Sequence, residues 1–226
     1  RFPFSSQVSP VGNTVRYSYD KLDRLEETLD PAGRKESYTY DSVGNLTKKT
    51  VNDTRVTSYA YDANGNMTSL TNALGQTETK KYDNMNRLVQ ETDATGAKTT
   101  YQYDGKGQLL SSTDGNGNTT AVAYDGNGNV ISVTDGEGRQ VRYAYDLADR
   151  LTEAVAGDLN YENRNTYTYD AVGNLTSTTD GNGNKTTYTY DLLSNQTSRT
   201  NALGETESYS YDLNNRLEKT TRPNGN

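Results

Sequence analysis

The dipeptide Tyr-Asp occurs ten times in this 226-residue chain, and its regular spacing constrains the fold more than any other feature. The spacing is 21 residues at every step but one, where it is 24. A fixed period of this length is typical of repeat proteins, in which each unit contacts mainly its neighbours. An active site is built once in a domain. A feature that is built ten times therefore predicts an architectural element, or a surface that binds through repetition.

The ten repeats also keep the neighbours of the dipeptide. The dipeptides are Tyr19-Asp20, Tyr40-Asp41, Tyr61-Asp62, Tyr82-Asp83, Tyr103-Asp104, Tyr124-Asp125, Tyr145-Asp146, Tyr169-Asp170, Tyr190-Asp191 and Tyr211-Asp212. The sixth residue after each of these tyrosines is Leu, Met or Val in nine repeats, and only Gln196 departs from this rule. The recurring pattern predicts that the following residues have structural roles: Tyr40, Asp41, Gly44, Tyr61, Asp62, Gly65, Tyr103, Asp104, Gly107, Tyr169, Asp170 and Gly173.

A single repeat reads as two short strands and two turns. In residues 38–40, Tyr-Thr-Tyr alternates, so both rings lie on one face of a predicted strand. Residues 41–45 form a predicted turn, in which Gly44 supplies a positive φ and Asp and Asn bond to the local backbone. Residues 46–50 form the returning strand. A second turn, such as Asp93-Ala94-Thr95-Gly96, then closes the repeat.

Strict alternation predicts which side chains share the face of the tyrosine rings. If Tyr40 faces Leu46, this face also carries Lys48 and Thr50. The opposite, polar face then carries Thr39, Thr47 and Lys49. We expect five of the repeated tyrosines to be largely buried and stacked along one face, because cross-strand aromatic pairs contribute roughly 0.2–1 kcal/mol each. These are Tyr40, Tyr61, Tyr103, Tyr190 and Tyr211.

The predicted fold class is all-β, a repeat array of antiparallel β-hairpins that forms one long curled or spiralling sheet. About 20 strands at ~4.8 Å each make a sheet too wide to stay flat. Residues 1–16 are predicted to be a partial leading repeat or linker, and residues 17–226 ten tandem repeats of about 21 residues. Residues 157–165 hold the three extra residues of the longer repeat, which we expect in a turn.

Composition excludes several classes of function. The chain has no Cys and no His, so disulfides, thiolate or imidazole metal sites and Ser-His or Cys-His catalysis are excluded. Its net charge of −7 and pI near 4.7 argue against nucleic acid as a partner. No run of 18 apolar residues occurs, so no membrane span is predicted. We expect no enzymatic activity.

Calcium is the one metal that the sequence leaves open, and no cofactor is otherwise expected. Runs of Asp-Gly-Asn-Gly-Asn place oxygen-bearing side chains at alternate positions, as in the first half of a calcium loop. The candidate ligands are Asp114, Asn116, Asn118, Asp180, Asn182 and Asn184. No Glu closes either run at the twelfth position, and the same residue types favour hairpin turns. Turn formation alone is therefore the competing interpretation.

The repeated pattern Tyr-Asp-x-x-Gly-Asn/Arg-Leu, followed by a Thr-rich strand, resembles the RHS or YD-repeat family. It stands as Tyr40-Asp41-Ser42-Val43-Gly44-Asn45-Leu46 and again as Tyr169-Asp170-Ala171-Val172-Gly173-Asn174-Leu175. The resemblance covers the chain from about Tyr17 onward. It implies a ribbon of β-hairpins that spirals into a hollow shell. In bacterial members such a shell commonly encloses a toxic polypeptide, teneurin shells support cell–cell adhesion, and wall-associated relatives are linked to carbohydrate binding.

From this resemblance we expect a structural repeat segment of a large secreted or cell-surface protein, of bacterial origin. It would form the wall of a shell around a polypeptide cargo, or a filament-like stalk. Sheet edges are open to pairing, so adjoining repeats of the same or another copy are expected partners. The alternative is a module for carbohydrate binding or cell–cell adhesion, because exposed aromatic rings stack on sugars.

Overall fold

In the computed structural model, residues 4–8, 14–157 and 163–223 are described, and every regular element in them is a β-strand. The strands in chain order are β1 (Phe4–Val8), β2 (Thr14–Tyr19), β3 (Leu25–Leu29), β4 (Lys35–Tyr40), β5 (Leu46–Val51), β6 (Arg55–Tyr61), β7 (Met67–Thr71), β8 (Thr77–Tyr82), β9 (Leu88–Thr92), β10 (Lys98–Tyr103), β11 (Leu109–Thr113), β12 (Thr119–Tyr124), β13 (Val130–Thr134), β14 (Gln140–Tyr145), β15 (Leu151–Ala156), β16 (Arg164–Tyr169), β17 (Leu175–Thr179), β18 (Lys185–Tyr190), β19 (Gln196–Thr200), β20 (Thr206–Tyr211) and β21 (Leu217–Thr221). The predicted all-β array of antiparallel hairpins is confirmed.

The chain divides into two compact units, and each is a simple meander. The first comprises residues 1–107 and 112–117, and the second residues 108–111 and 118–226. In the first, consecutive strands from β1 to β10 pair antiparallel. In the second, consecutive strands from β12 to β21 pair in the same way. Residues of β11 belong to both units.

Most of the described turns are closed by the same pair of backbone hydrogen bonds. The β5–β6 turn differs, because there the Thr54 N–H donates to the Val51 carbonyl, and Asn52 and Asp53 are both left-handed. At the Tyr-Asp turn of β4 and β5, the Asp41 N–H donates to the Asn45 carbonyl at 2.9 Å. The Gly44 N–H donates to the Asp41 carbonyl at 3.3 Å. The second set of turns repeats these bonds, for example from the Asp93 N–H to the Ala97 carbonyl. The fourth turn residue must adopt a left-handed backbone, and Gly44 has a φ of +103°.

The glycine at this position offers a clean test of the turn geometry. Gly65 has a φ of +86°, and a Cβ placed on it would meet nothing within 4 Å. We therefore expect Gly65→Ala to cost about 1–2 kcal/mol through backbone strain alone. Gly105 is the second residue of the Asp104 turn, two residues before the left-handed Gly107. Its own φ is not left-handed, and a Cβ placed on it would also meet nothing within 4 Å. Gly105→Ala is the matched control, and its urea midpoint should be unchanged or slightly raised.

In nine of the Tyr-Asp hairpins the register shifts by one residue beside the tyrosine, and this corrects the predicted faces. Tyr40 pairs with Leu46, but Thr39 pairs with Lys48 and Tyr38 with Lys49, so residue 47 is a bulge. Cross-strand pairs share a face. Lys49, not Lys48, therefore lies with the rings. The assignment of Lys48 and Thr50 to the tyrosine face, and of Lys49 to the opposite face, was wrong.

The sheet has almost no conventional core. Among the described residues only Val155 and Ser177 are less than 9% exposed, at 8% and 5%. The pairs Arg142–Val155 and Thr168–Ser177 place both of them on the face opposite the rings. The tyrosine side is thus half-buried rather than covered. Stability must come from contacts between neighbouring hairpins.

The predicted insertion at residues 157–165 falls mainly outside the described residues. Residues 158–162 are among those that the structure does not describe. Gly157 follows β15 directly, and its N–H donates to the Gln140 carbonyl at 2.8 Å. Arg164 and Asn165 already belong to β16. Of the predicted leading segment, residues 4–8 form β1, which pairs with β2.

Candidate functional site

The repeated tyrosines link each hairpin to the one before it. The Tyr40 hydroxyl donates to the main-chain carbonyl of Leu25 at 2.8 Å, and the Tyr61 hydroxyl donates to that of Leu46 at 2.9 Å. The same bond recurs from Tyr82 to Met67, Tyr103 to Leu88, Tyr124 to Leu109, Tyr145 to Val130, Tyr169 to Leu151, Tyr190 to Leu175 and Tyr211 to Gln196. The acceptor needs only a backbone carbonyl, which explains why Gln196 can replace Leu.

These bonds take the place of the expected ring stack. Successive Tyr-Asp rings lie two strands apart, or ~9.6 Å, whereas stacked rings need centroids about 4.5–7 Å apart. Tyr40, Tyr61, Tyr103, Tyr190 and Tyr211 do share one face, but they are only half-buried. Each ring lies over the returning strand of the preceding hairpin, which its hydroxyl reaches. The hydroxyl is thus as important as the ring, and the sequence reasoning missed it.

The aspartate of each dipeptide holds its own turn together. One carboxylate oxygen of Asp62 accepts the N–H groups of Asn64 and Asn66, each at 2.9 Å. The other oxygen accepts the Asn66 side-chain amide at 3.0 Å. The Asn66 amide and the turn N–H groups lower the pKa of Asp62, since they favour the charged form. Asp41, Asp104 and Asp170 accept turn N–H groups in the same way.

The side chain four residues after each turn aspartate is its hydrogen-bond partner. One of the two side chains supplies the donor and the other supplies the acceptor. Asp170 pairs with the Asn174 amide at 2.9 Å. Where Asn72 replaces aspartate, its own amide donates to the Gln76 oxygen at 2.8 Å. Its carbonyl oxygen still accepts the turn N–H groups of Leu74 and Gln76. The i,i+4 pair is therefore a structural unit of the turn and could have been recognised by comparing repeats.

Every third Tyr-Asp turn carries an arginine that clamps the next hairpin. Arg24 donates to the Asp20 carboxylate at 2.7 Å and to the Asp41 carbonyl at 2.9 Å. Its guanidinium also lies 4.7 Å from the centre of the Tyr40 ring, a cation–π contact. Arg87 and Arg150 repeat all three contacts on the hairpins that follow them. The arginines are 63 residues apart, so the contacts have a period of three hairpins.

A second set of hydrogen bonds joins the Arg87 turn and the Arg150 turn to the Tyr-Asp turn that precedes each of them. Asn64 and Asn66 both donate to the side-chain oxygen of Asn86, at 2.9 and 2.8 Å. Asn127 and Asn129 donate to Asp149 in the same manner. Asn86 and Asp149 occupy the left-handed turn position, with φ of 61° and 59°, where most turns have glycine. Their side chains accept these bonds, which accounts for the absence of glycine.

A further row of tyrosines pairs with glutamates on the same face. The Tyr38 hydroxyl donates to Glu36 at 2.6 Å, and the Lys49 ammonium lies 2.9 Å from the same carboxylate. The Tyr101 hydroxyl donates to Glu91 at 2.6 Å. This bond, together with burial, raises the pKa of Tyr101 to about 12. These hydroxyls are held neutral as donors, which favours structural roles over proton transfer.

Three of the candidate calcium ligands, Asp114, Asp180 and Asn184, use their side chains in turn hydrogen bonds. One Asp180 oxygen accepts the N–H groups of Asn182 and Asn184, and the other accepts the Asn184 amide. Asp114 accepts the Asn116 N–H at 2.9 Å, and Asn118 is the last residue before β12. In the part of the chain that the structure describes, no cluster of three or more acidic, His or Cys side chains could hold a metal. Calcium binding stays an untested hypothesis.

Two of the repeated carboxylates illustrate how acidic groups are held in the described strands. Asp62 accepts a hydrogen bond from the Asn66 amide, and Glu36 is paired with the Lys49 ammonium. Over the described ranges, no helix is long and apolar enough to cross a membrane. The hydrogen bonds of these side chains connect each hairpin to its neighbour.

Comparison with known proteins agrees with this geometry. The model of the teneurin YD-shell family matches residues 11–159, and the RHS-repeat model matches residues 169–206 and 194–226. No curated protein matches the chain.

Two solved structures share the fold at low sequence identity. The crystal structure of TcdB2-TccC3-Cdc42 has a TM-score of 0.56 and 17% identity, and covers 96% of this chain and 15% of that one. The crystal structure of TcdB2-TccC3-TEV has a TM-score of 0.51 and 17% identity, with 97% and 16% covered. This chain thus spans about a sixth of those chains, and the likeness shows the fold alone. The family model matches well over half of the residues, so the chain belongs to the YD-shell family of RHS-type repeat proteins.

Proposed function

We propose that this chain is a structural scaffold, a stretch of wall in a large secreted or cell-surface protein, and that it has no catalytic role. The observation that carries the proposal is the repeated hydroxyl-to-carbonyl bond, which four Tyr-Asp tyrosines make within the first unit and five make within the second. This bond joins neighbouring hairpins in each unit, although the hairpins have no core of their own. Membership in a family named for its shell supports the same reading.

In the first form of this proposal, the wall encloses a polypeptide cargo. A wide sheet of half-buried strands has two large faces, and one of them can face a lumen. The parent protein, imaged by electron microscopy, should show a hollow particle, and a polypeptide inside it should resist added protease. A solid or fibrous particle, with every segment cleaved at equal rates, would contradict this form.

In the second form, the segment belongs to a filament-like stalk and associates through its sheet edges. The outer strand β21 is exposed at all five of its residues, and Leu217 is 56% exposed. Unpaired strand edges of this kind recruit further strands. Light scattering of the purified chain at rising concentration should show growth, and a strictly monomeric species at high micromolar concentration would argue against it.

Carbohydrate binding or cell–cell adhesion is the second candidate function. The observation in its favour is a row of half-buried tyrosines on one face, which includes Tyr59, Tyr143 and Tyr188. Aromatic faces of this type stack on sugar rings. A glycan array would test it. A bound glycan should be lost from the Tyr188→Ala variant and kept by the Leu203→Ala variant, which changes an exposed residue in the turn between β19 and β20. An array without any signal removes this candidate.

A further inference from the structure

Several turns place an asparagine directly before a glycine, where an amide side chain can react with the backbone that follows it. The pairs are Asn64-Gly65, Asn116-Gly117, Asn127-Gly128, Asn182-Gly183 and Asn224-Gly225, and the last of them lies outside the described residues. Glycine has no Cβ, so its backbone nitrogen is open to the preceding side chain. The asparagines of the other pairs are all exposed to water. These pairs are therefore candidates for the same chemical change.

The change is deamidation, and water is its only co-reactant. The glycine nitrogen bonds to Cγ of the asparagine, while the side-chain nitrogen leaves as ammonia and takes the glycine proton with it. Water then adds to one of the two carbonyls of the succinimide ring that has formed. Addition at one carbonyl gives aspartate. Addition at the other gives isoaspartate, whose backbone runs through the former side chain and is one methylene longer.

The described pairs occupy the same place in their turns. The glycine is the fourth turn residue and is left-handed, with a φ between 82° and 101° in all of them. Its N–H donates to the carbonyl of the first turn residue, at 2.9–3.3 Å. Sequence does not separate the sites either, because residues 114–118, 125–129 and 180–184 are the identical pentapeptide Asp-Gly-Asn-Gly-Asn. A difference in reactivity between these sites must therefore come from the structure.

Two of the side-chain amides are held by the neighbouring turn. The Asn64 amide donates to the side-chain oxygen of Asn86 at 2.9 Å, and the Asn127 amide donates to Asp149 at 2.8 Å. The Gly128 N–H also donates to a carboxylate oxygen of its own turn, at 2.9 Å. Ring closure requires the asparagine side chain to swing towards the glycine nitrogen, so a held amide must first break its hydrogen bond. Both held amides belong to Tyr-Asp turns.

The side-chain amides of Asn116 and Asn182 are not held in this way. Both residues lie in the second set of turns, where the backbone N–H of each donates to the turn aspartate. Among the described residues, neither side-chain amide has a hydrogen-bond partner. These two asparagines are thus free to reach the following glycine without breaking a side-chain bond.

We propose that Asn116 and Asn182 are sites of spontaneous deamidation to isoaspartate, and that the hydrogen bonds between turns protect Asn64 and Asn127 from the same reaction. The product adds a carboxylate and lengthens the backbone of the turn. The bonds from the Asp180 N–H to the Asn184 carbonyl and from the Gly183 N–H to the Asp180 carbonyl both span the lengthened link. The modified turn therefore loses the geometry that closes it.

Peptide mapping by mass spectrometry tests the proposal on the full-length chain. The folded protein is aged in mildly alkaline buffer made with ¹⁸O-labelled water, which labels each hydrolysed succinimide, and fragmentation distinguishes isoaspartate from aspartate. Asn116 and Asn182 should react about fivefold faster than Asn64 and Asn127, as the cost of breaking one hydrogen bond implies. Equal rates at these sites would overturn the proposal.

The chain unfolded in guanidinium chloride supplies the control for local sequence. Asn116, Asn127 and Asn182 should react at the same rate there, because their pentapeptides are identical. If Asn127 remained the slowest of the three in the unfolded chain, the hydrogen bonds of the fold would not be the cause, and the proposed protection would be wrong.

The protecting bond is tested by Asn86→Gly. Asn86 has a φ of 61°, so glycine at this position removes the acceptor of the Asn64 amide without straining the turn. Asn64 should then react about as fast as Asn182. The matched control is Ser194→Gly, which changes the same position of the Asp191 turn, where φ is 63°, and should leave the Asn64 rate unchanged. An equal Asn64 rate in both variants would overturn the protective role of Asn86.

Discussion

Replacing Tyr103 by alanine is expected to lower the free energy of unfolding by about 3 kcal/mol. The change removes a half-buried ring from the tyrosine face. It also removes the hydroxyl bond to the Leu88 carbonyl, at 2.9 Å, and the contact of the Arg87 guanidinium, 4.9 Å from the ring centre. The β9–β10 pairing and the Tyr101–Glu91 bond still join the two hairpins, but every contact of the Tyr103 side chain is lost. Urea unfolding followed by circular dichroism is the measurement.

Two control variants separate the contributions to this loss. Tyr103→Phe keeps the ring and the cation–π contact and removes only the hydroxyl, so it should cost about 1 kcal/mol. Tyr61→Ala removes a tyrosine that follows Asn45 rather than an arginine, and it should cost less than Tyr103→Ala. Nearly unchanged midpoints for all three would mean that the rings are surface groups. The carbohydrate-binding alternative would then gain support.

The repeat and the turn residues predicted the arrangement of strands closely. The predicted returning strand at residues 46–50 is β5, Leu46–Val51, and the predicted tyrosine strand at residues 38–40 ends β4, Lys35–Tyr40. The turn between them closes at Gly44 as expected. These features could be predicted because positive φ and strand alternation depend on one or two residues at a time.

The faces of the returning strands could not be predicted in this way. The bulge at Thr47 moves Lys49 to the tyrosine face, and nothing in residues 46–50 signals it, because a bulge is set by the hydrogen bonds of both strands together. The Tyr40 hydroxyl bond was also out of reach, because its acceptor is a backbone carbonyl, which has no sequence signature.

The arginines that contact the next hairpin recur in the sequence, but their period is longer than the 21-residue repeat on which the predictions were based. Arg24, Arg87 and Arg150 recur every 63 residues, and comparing the repeats in threes would have revealed them. The sequence does not reveal that the Arg24 guanidinium contacts the Asp41 carbonyl and the Tyr40 ring of the next hairpin. The period could be found by counting, but the partner needs the register between hairpins.

The turn aspartates should make the protein acid-labile as a whole. Twelve of them have a lowered pKa, because turn N–H groups and Asn or Arg side chains donate to the carboxylates and outweigh desolvation. These are Asp20, Asp41, Asp62, Asp83, Asp93, Asp125, Asp135, Asp146, Asp170, Asp180, Asp191 and Asp212. A carboxyl whose folded pKa lies below its unfolded value, about 3.9, stabilises the fold above that pH. The stabilisation is lost as pH falls through the folded pKa.

Stability should therefore be flat between about pH 5 and pH 8, where a chain without His or Cys has no side chain of ordinary pKa to titrate. Below about pH 4 the melting temperature should fall steeply, because the unfolded chain binds up to twelve more protons at these turns. Thermal melts across this range, followed by circular dichroism, are the measurement. A melting temperature that stays constant down to pH 2.5 would show that the turn carboxylates contribute nothing to stability.

The Asn72–Gln76 pair supplies the control, because it closes the same turn without a titrating group. Copying it into three turns removes three of the twelve carboxylates and keeps the donor–acceptor match. The paired changes are Asp41→Asn with Asn45→Gln, Asp170→Asn with Asn174→Gln, and Asp180→Asn with Asn184→Gln. The slope of stability against pH counts the protons taken up on unfolding, so it should become shallower below about pH 4. An unchanged slope would place the acid sensitivity elsewhere, on a glutamate such as Glu36, which accepts the Tyr38 hydroxyl.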